Sequence, residues 1–189
     1  MPRLFIAVRA PACEALIELH QRLSRLGQAV RPVDPRHHHL TLLFLGQIDA
    51  DLVAEVRRVM AQACAAATAF DLTWRGLGMF PDELRPRVLW TAGQPDDPLI
   101  PIVTTLRREL APILEKPDDR PWRAHLTLAR IQSRPPDDWH RLIERYQGRT
   151  FGTMRIREVE LIESTLTPAG PKYDTIATVR LAEPPPANR

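Results

Sequence analysis

The sequence predicts a fold of mixed strands and helices in two lobes, related by a pseudo-twofold axis and facing each other across a central cleft. Three observations carry that expectation. The chain has 189 residues, 44% of them hydrophobic, enough to bury one sizeable core. Its apolar patterning runs strand, helix, strand, helix, strand, and then restarts in the same order. Each half contains one strand that opens His-Leu-Thr-Leu, at His39 and again 86 residues later at His125. That period is too long for a solenoid. Two lobes, in contrast, bring equivalent residues of the halves face to face, and a single two-lobed domain over residues 1–182 is expected.

Taken in order, Arg3 to Val8 is a short apolar run that reads as a buried strand. Pro11 to Leu26 follows as a helix, because Leu16, Leu19, Leu23 and Leu26 recur at three- and four-residue steps. The breaker-rich stretch Arg31-Pro32-Val33-Asp34-Pro35 leads to a strand from His39 to Leu45 that Gly46 closes. A helix from about Ala50 to Ala67, capped by Asp49 or Asp51, and a strand from Phe70 to Leu77 end the first half. The second half has a strand over Arg87–Thr91, a helix over Leu99–Leu114 and a turn over Lys116–Pro121. The strand His125–Arg130 follows, then a helix from about Pro136 to Gln147. One strand near Thr153 to Ser164 and another over Tyr173–Leu181 complete it. The tail over residues 183–189, with Pro184-Pro185-Pro186, reads as disordered.

Composition narrows the class. With 26% charged residues the chain is an ordinary globular protein, and no apolar stretch approaches the roughly 20 residues of a membrane span. Neither export nor insertion is expected. The formal net charge is +3, and Lys116 and Lys172 are the only lysines among 26 basic residues. An arginine-rich surface suits an anionic partner, although a GC-rich genome produces the same bias. Cys13 and Cys64 lie in two separate predicted helices without a CxxC spacing, so they read as buried reduced thiols of a cytoplasmic protein.

The duplicated tetrapeptide carries the chemistry. Alternate residues of a strand share a face, so His39 with Thr41, and His125 with Thr127, point one way while their leucines point to the core. Two such strands present two imidazoles and two hydroxyls around one anion-sized space. Histidine's unperturbed pKa of about 6.5 lets one copy be protonated and the other neutral near pH 7. That is the acid and base a phosphodiester needs: one ring takes a proton from attacking water and the other gives one to the departing ribose oxygen. The threonine hydroxyls hydrogen-bond the non-bridging oxygens. No metal or cofactor is required.

The two His-x-Thr-x motifs come with Leu4-Phe5-Ile6-Ala7-Val8, Phe44-Leu45-Gly46, Pro86-Arg87-Val88-Leu89-Trp90 and Ala129-Arg130. Together they resemble the RNA 2′,3′-cyclic phosphodiesterases, also called bacterial and archaeal 2′-5′ RNA ligases, of the two-histidine phosphoesterase superfamily. The similarity runs from Arg3 to Leu181. It implies a bilobal α+β fold of largely antiparallel sheets with outer helices, and hydrolysis of RNA ends bearing a 2′,3′-cyclic phosphate to a 2′-phosphate. A weak, reversible 2′-5′ ligation comes with it. By that likeness His39 is the proton donor, His125 the proton acceptor, and Arg130 and Tyr173 contact substrate; the motifs alone, being nearly symmetric, assign neither histidine. A monomer is expected. An RNA-binding scaffold without catalysis and a related phosphodiesterase of small cyclic nucleotides are the alternatives.

Other residues have plainer readings. In a regular strand Arg130, five residues after His125, would point away from the cleft, so it needs a bulge or the strand end to reach it. His37 and His39 could share a face, but His38 could not, and no carboxylate or cysteine completes a metal shell. His20 and His140 read as structural, and the pairs Asp118-Asp119 and Asp137-Asp138 as turn and helix-start carboxylates. Trp90, Trp122 and Phe44 could stack a terminal base, although Phe44 shares a face with Leu40 and Leu42 and so reads as core. Arg31, Arg36, Arg120 and Arg123 precede the two histidine strands and are expected to rim the cleft.

Overall fold

The structure is a computed structural model and describes residues 2–82, 85–117, 120–133, 139–168 and 170–184. Nine strands in one antiparallel sheet, four α-helices and five short 3-10 turns make up the regular structure among these residues. The strands are β1 (Arg3–Arg9), β2 (Val30–Pro32), β3 (His39–Gln47), β4 (Phe70–Phe80), β5 (Val88–Gln94), β6 (His125–Ile131), β7 (Thr150–Ile156), β8 (Glu158–Thr167) and β9 (Gly170–Arg180). The helices are α1 (Glu14–Ser24), α2 (Val53–Cys64), α3 (Ile100–Leu110) and α4 (Trp139–Tyr146).

Strand order is β7-β4-β5-β6-β3-β1-β8-β9, with β2 added beside β6. The two histidine strands are thus the central neighbours, and the order reads outward in the same way on both sides. A seam divides the sheet there: β3 and β6 are joined through the single pair Leu40↔Leu126, whereas β1 and β3 keep seven paired positions. The expected lobes are present, but they are not the two halves of the sequence. β4, from the first half, pairs with β5, while β8, from the second, pairs with β1.

The apolar stripe of each helix explains where it lies. Leu16, Leu19 and Leu23 of α1, Val56, Val59 and Met60 of α2, and Ile102, Val103 and Leu106 of α3 are all buried in the main core. Leu40, Leu42, Leu126 and Leu128 enter that core from the sheet. The helices therefore cover one face of the sheet and leave the other to the polar residues of the motifs. A second, small cluster of Phe5, Ala7 and Ile162, with Tyr173 against it, sits apart from the main core.

Some boundaries differ from the sequence reading. α1 starts at Glu14, not Pro11, since Cys13 is an extended N-cap residue, and it ends before Gly27, whose φ of 70° leaves the helical region. Cys13 is therefore outside the helix and only half-buried, whereas Cys64 is buried; both thiols are free. Asp49 precedes a 3-10 turn (Ala50–Leu52) but makes no side-chain cap. Gly46 does not close β3: with φ 76° it accommodates an irregularity, and pairing continues through Gln47↔Arg3. β2 hides in the proline-rich stretch before His39. The single strand expected over Thr153–Ser164 is two, broken at Arg157, because β7 pairs with β4 in one lobe and β8 with β1 in the other.

Residues 134–138 and 118–119 lie outside the described residues, and with them Pro136, Asp118-Asp119 and Asp137-Asp138. The same holds for residues 185–189 of the tail, while Glu183 makes ion pairs with Arg155 and Arg157. Among the described residues no helix is long and apolar enough to cross a membrane.

Candidate active site

The pair Leu40↔Leu126 fixes how the two motifs meet. In an antiparallel pair the residue before one partner lies across from the residue after the other. His39 therefore stands across from Thr127, and His125 across from Thr41, and cross-strand neighbours share a face. The two leucines are 1% and 0% exposed, while the two histidines and two threonines are half-buried on the opposite face. The imidazoles are diagonal neighbours across the seam, a relation that sets their backbones about 7–8 Å apart. Each histidine thus has two threonines near it, its own and the other strand's.

Both rings are oriented in the same way. His39 Nδ1–H donates to the carbonyl of His37 at 2.7 Å, and His125 Nδ1–H to the carbonyl of Arg123 at 2.8 Å. A carbonyl only accepts, so the neutral form of each ring carries its proton on Nδ1 and its lone pair on Nε2. Burial holds both imidazoles below the ordinary value of 6.5, and these backbone bonds oppose the effect. The positive charge of Arg9 adds to the lowering at His39, and that of Arg120 at His125.

The walls differ. His39 lies among Phe5 and Tyr173, with ring centroids 4.8 and 5.3 Å away, and Tyr173 also meets the ring of His37 at 5.2 Å. His125 lies beside Phe80 at 5.1 Å and Trp90 at 6.1 Å, two rings that stack on each other at 4.9 Å. Trp90 is across from Thr127 on one side and Gly78 on the other. A Cβ at Gly78 would overlap the indole, so glycine makes the room for Trp90.

Two bulges complete the face. The β5–β6 register passes from Leu89↔Ala129 to Trp90↔Thr127, leaving Leu128 as an extra residue. The alternation shifts there, Leu128 and Ala129 are both buried, and Arg130 emerges exposed on the face of His125 and Thr127. In β3 the register passes from Leu43↔Ile6 to Thr41↔Ala7, leaving Leu42 extra. This overturns the core assignment of Phe44, which is 65% exposed on the face of His39 and Thr41, its ring 6.0 Å from that of Phe5. Adjacent apolar residues after each motif, Leu42-Leu43 and Leu128-Ala129, were the available signal, since strict alternation has no room for them.

The remaining candidates separate. Tyr173, in β9, is half-buried beside His39; burial raises its phenol above the usual value, while the charges of Arg130 and Arg3 oppose that rise. Trp122 donates its Nε1–H to the carbonyl of Thr41 at 3.1 Å and packs on the main core, bracing the first motif. Arg31, in β2, is exposed across from Arg130. Arg36 is tied to Asp34 at 2.6 Å, and its hydrogen bonds hold that carboxyl far below the usual range. Arg123 is exposed next to His125. His20 Nδ1 bonds the carbonyl of Val33 at 3.1 Å, and His38 is buried on the core side, opposite to His37 and His39. Among the described residues no three His, Cys, Asp or Glu side chains gather as a metal-binding group.

Arg9 and Glu160 carry no signal in the sequence. Arg9 lies across from His39, and its guanidinium donates to the buried Glu160 carboxylate at 3.0 Å and to Thr175 Oγ1 at 2.9 Å. No local pattern marks them, because the contact joins β1 to β8 across 151 residues.

The model of the 2′-5′ RNA ligase superfamily matches residues 18–167. The RNA 2′,3′-cyclic phosphodiesterase of Aquifex aeolicus is 32% identical over 149 residues, covering 76% of this chain and 78% of that protein. The crystal structure of TT0787 of Thermus thermophilus has a TM-score of 0.80 and 28% identity, covering 96% of this chain and 98% of that one. E. coli LigT, in its complex with 3′-AMP, has a TM-score of 0.73 and 25% identity, covering 96% and 99%.

Proposed function

The chain belongs to the 2′-5′ RNA ligase superfamily, and from that premise we infer that it is an RNA 2′,3′-cyclic phosphodiesterase. The observation that carries this reading is the crossed quartet of His39, Thr127, His125 and Thr41 around Leu40↔Leu126. It offers two proton-transfer groups and two hydroxyls to one phosphate.

In the reaction, water attacks phosphorus and the bond from phosphorus to the ribose O3′ breaks. Neutral His125 accepts the water proton at Nε2, and His39, as imidazolium, donates its Nε2 proton to O3′, giving a 2′-phosphate and a free 3′-hydroxyl. The family order assigns these roles; the quartet itself serves either direction. Burial favours the neutral form of both rings, and the anionic substrate raises the tendency of one to hold its proton. Thr41 and Thr127 donate to the non-bridging oxygens, and Arg130 balances their charge. A 5′-hydroxyl in place of water makes a 2′-5′ bond, the reversible ligation. No step calls for a metal ion. Phe44 presents an exposed ring on this side of the sheet on which a terminal base stacks, and Tyr173 closes the His39 flank.

The test is the pH–rate profile on a 2′,3′-cyclic nucleotide with identification of the phosphate isomer formed. A bell-shaped kcat/KM with both limbs in the imidazole range and a 2′-phosphate product is expected. A 3′-phosphate product, or turnover that a chelator abolishes, overturns the scheme.

A further inference from the structure

Arg31 and Arg130 lie directly across from each other in β2 and β6, both exposed. Cross-strand partners share a face, so two guanidiniums stand side by side on the face of the catalytic quartet. Like charges placed opposite each other disfavour strand pairing unless something of the other sign relieves them. Elsewhere in the sheet that relief is built in: the acidic pair Glu163↔Asp174 has Lys172 at 2.9 Å from Asp174, and Arg9 has Glu160. Among the described residues no carboxylate partners Arg31 or Arg130. A guanidinium pair left open in this way suits the planar, bidentate recognition of a phosphate.

We propose that Arg31, beside Arg130, binds the internal phosphodiester joining the terminal nucleotide to the rest of an RNA strand, so that the enzyme favours strand ends over free cyclic mononucleotides. This rests on the phosphodiesterase reading above. Arg130 is one same-face step, about 6–7 Å, beyond Thr127 along β6, and Arg31 is one strand spacing, about 5 Å, to its side. The cyclic phosphate occupies the quartet and reaches Arg130; the next negative charge along the substrate is that phosphodiester, and Arg31 is the cation directly across from Arg130.

The experiment compares a dinucleotide ending in a 2′,3′-cyclic phosphate with a 2′,3′-cyclic mononucleotide, in the wild type, Arg31→Gln and Arg31→Lys. The wild type is expected to prefer the dinucleotide in kcat/KM, and Arg31→Gln to cut that preference roughly tenfold. The slope of log kcat/KM against log salt for the dinucleotide is expected to flatten by about 0.7 in Arg31→Gln and to persist in Arg31→Lys. An equal loss on both substrates overturns the proposal, since Arg31 would then serve the cyclic phosphate or the fold. So does an unchanged preference. If the wild type turns over neither substrate, the phosphodiesterase reading fails by itself. Binding of the dinucleotide 2′-phosphate against the mononucleotide 2′-phosphate, with and without Arg31→Gln, then decides on Arg31 separately.

Discussion

Lowering the pH from 7 to 5 is expected to destabilise the protein through His38, the residue between the site and the core. The residue is 4% exposed, and burial, helped by the charges of His20 and His39, pushes its pKa down to about 4. An unfolded chain holds that proton with a pKa near 6.5. The unfolded state therefore binds the proton more readily. Stability is full above pH 6.5 and is lost as the pH falls from there towards 4, where the loss levels off. At 1.36 kcal/mol per unit the whole gap is worth roughly 3 kcal/mol, of which about 2 kcal/mol is gone by pH 5. Urea unfolding of the wild type and His38→Leu at both pH values measures it, and comparing the two variants cancels what they share, including His39 and His125. If both proteins lose the same stability between pH 7 and 5, the reasoning is refuted. The consequence reaches the site, because the His38 carbonyl accepts from Ala10 N–H at 3.0 Å and anchors the strand that begins at His39. Activity lost below pH 5 then reports unfolding of β3 as well as protonation of His39 and His125.

Single substitutions His39→Ala and His125→Ala are each expected to lower kcat on a 2′,3′-cyclic nucleotide by roughly 10²–10⁴, and the double variant by less than the product, since the two act as a unit; full activity in the double variant, measured by product release, would end the acid–base scheme. Thr41→Val and Thr127→Val should each cost about 10²–10³ in kcat with little change in melting temperature. Phe44→Ala, at an exposed position, should weaken binding of a 2′-nucleotide by about 5- to 150-fold while leaving thermal stability nearly unchanged, as calorimetry would show. Gly78→Ala should destabilise the fold by about 1–3 kcal/mol in urea, because the new methyl displaces the Trp90 indole.

Much of this site was legible in the sequence. Period-two alternation put Leu40, Leu42, Leu126 and Leu128 in the core and the histidines with their threonines on the other face, and the structure agrees. The need for a bulge before Arg130 followed from the same arithmetic, and Leu128 supplies it. Strict alternation misplaces Phe44, because the second bulge, at Leu42, shifts the phase and only the pairing with β1 reveals it. The β7–β8 break at Arg157 left no turn signature: it arises from a change of pairing partner, and which strand a segment pairs with is decided by distant residues. Arg9 and Glu160 were invisible for that reason too.

The exchange of β4 and β8 between lobes bears on how the polypeptide is made. β1 and β3 leave the ribosome well before β8, the strand that flanks β1 on its outer side and starts only at Glu158. β4 likewise waits for β5 before it has a neighbour. Contacts of such sequence separation are slow to form. The stretch from β1 to β4 alone is therefore expected to remain uncompacted during translation, and the histidine site to close only once β8 has been made.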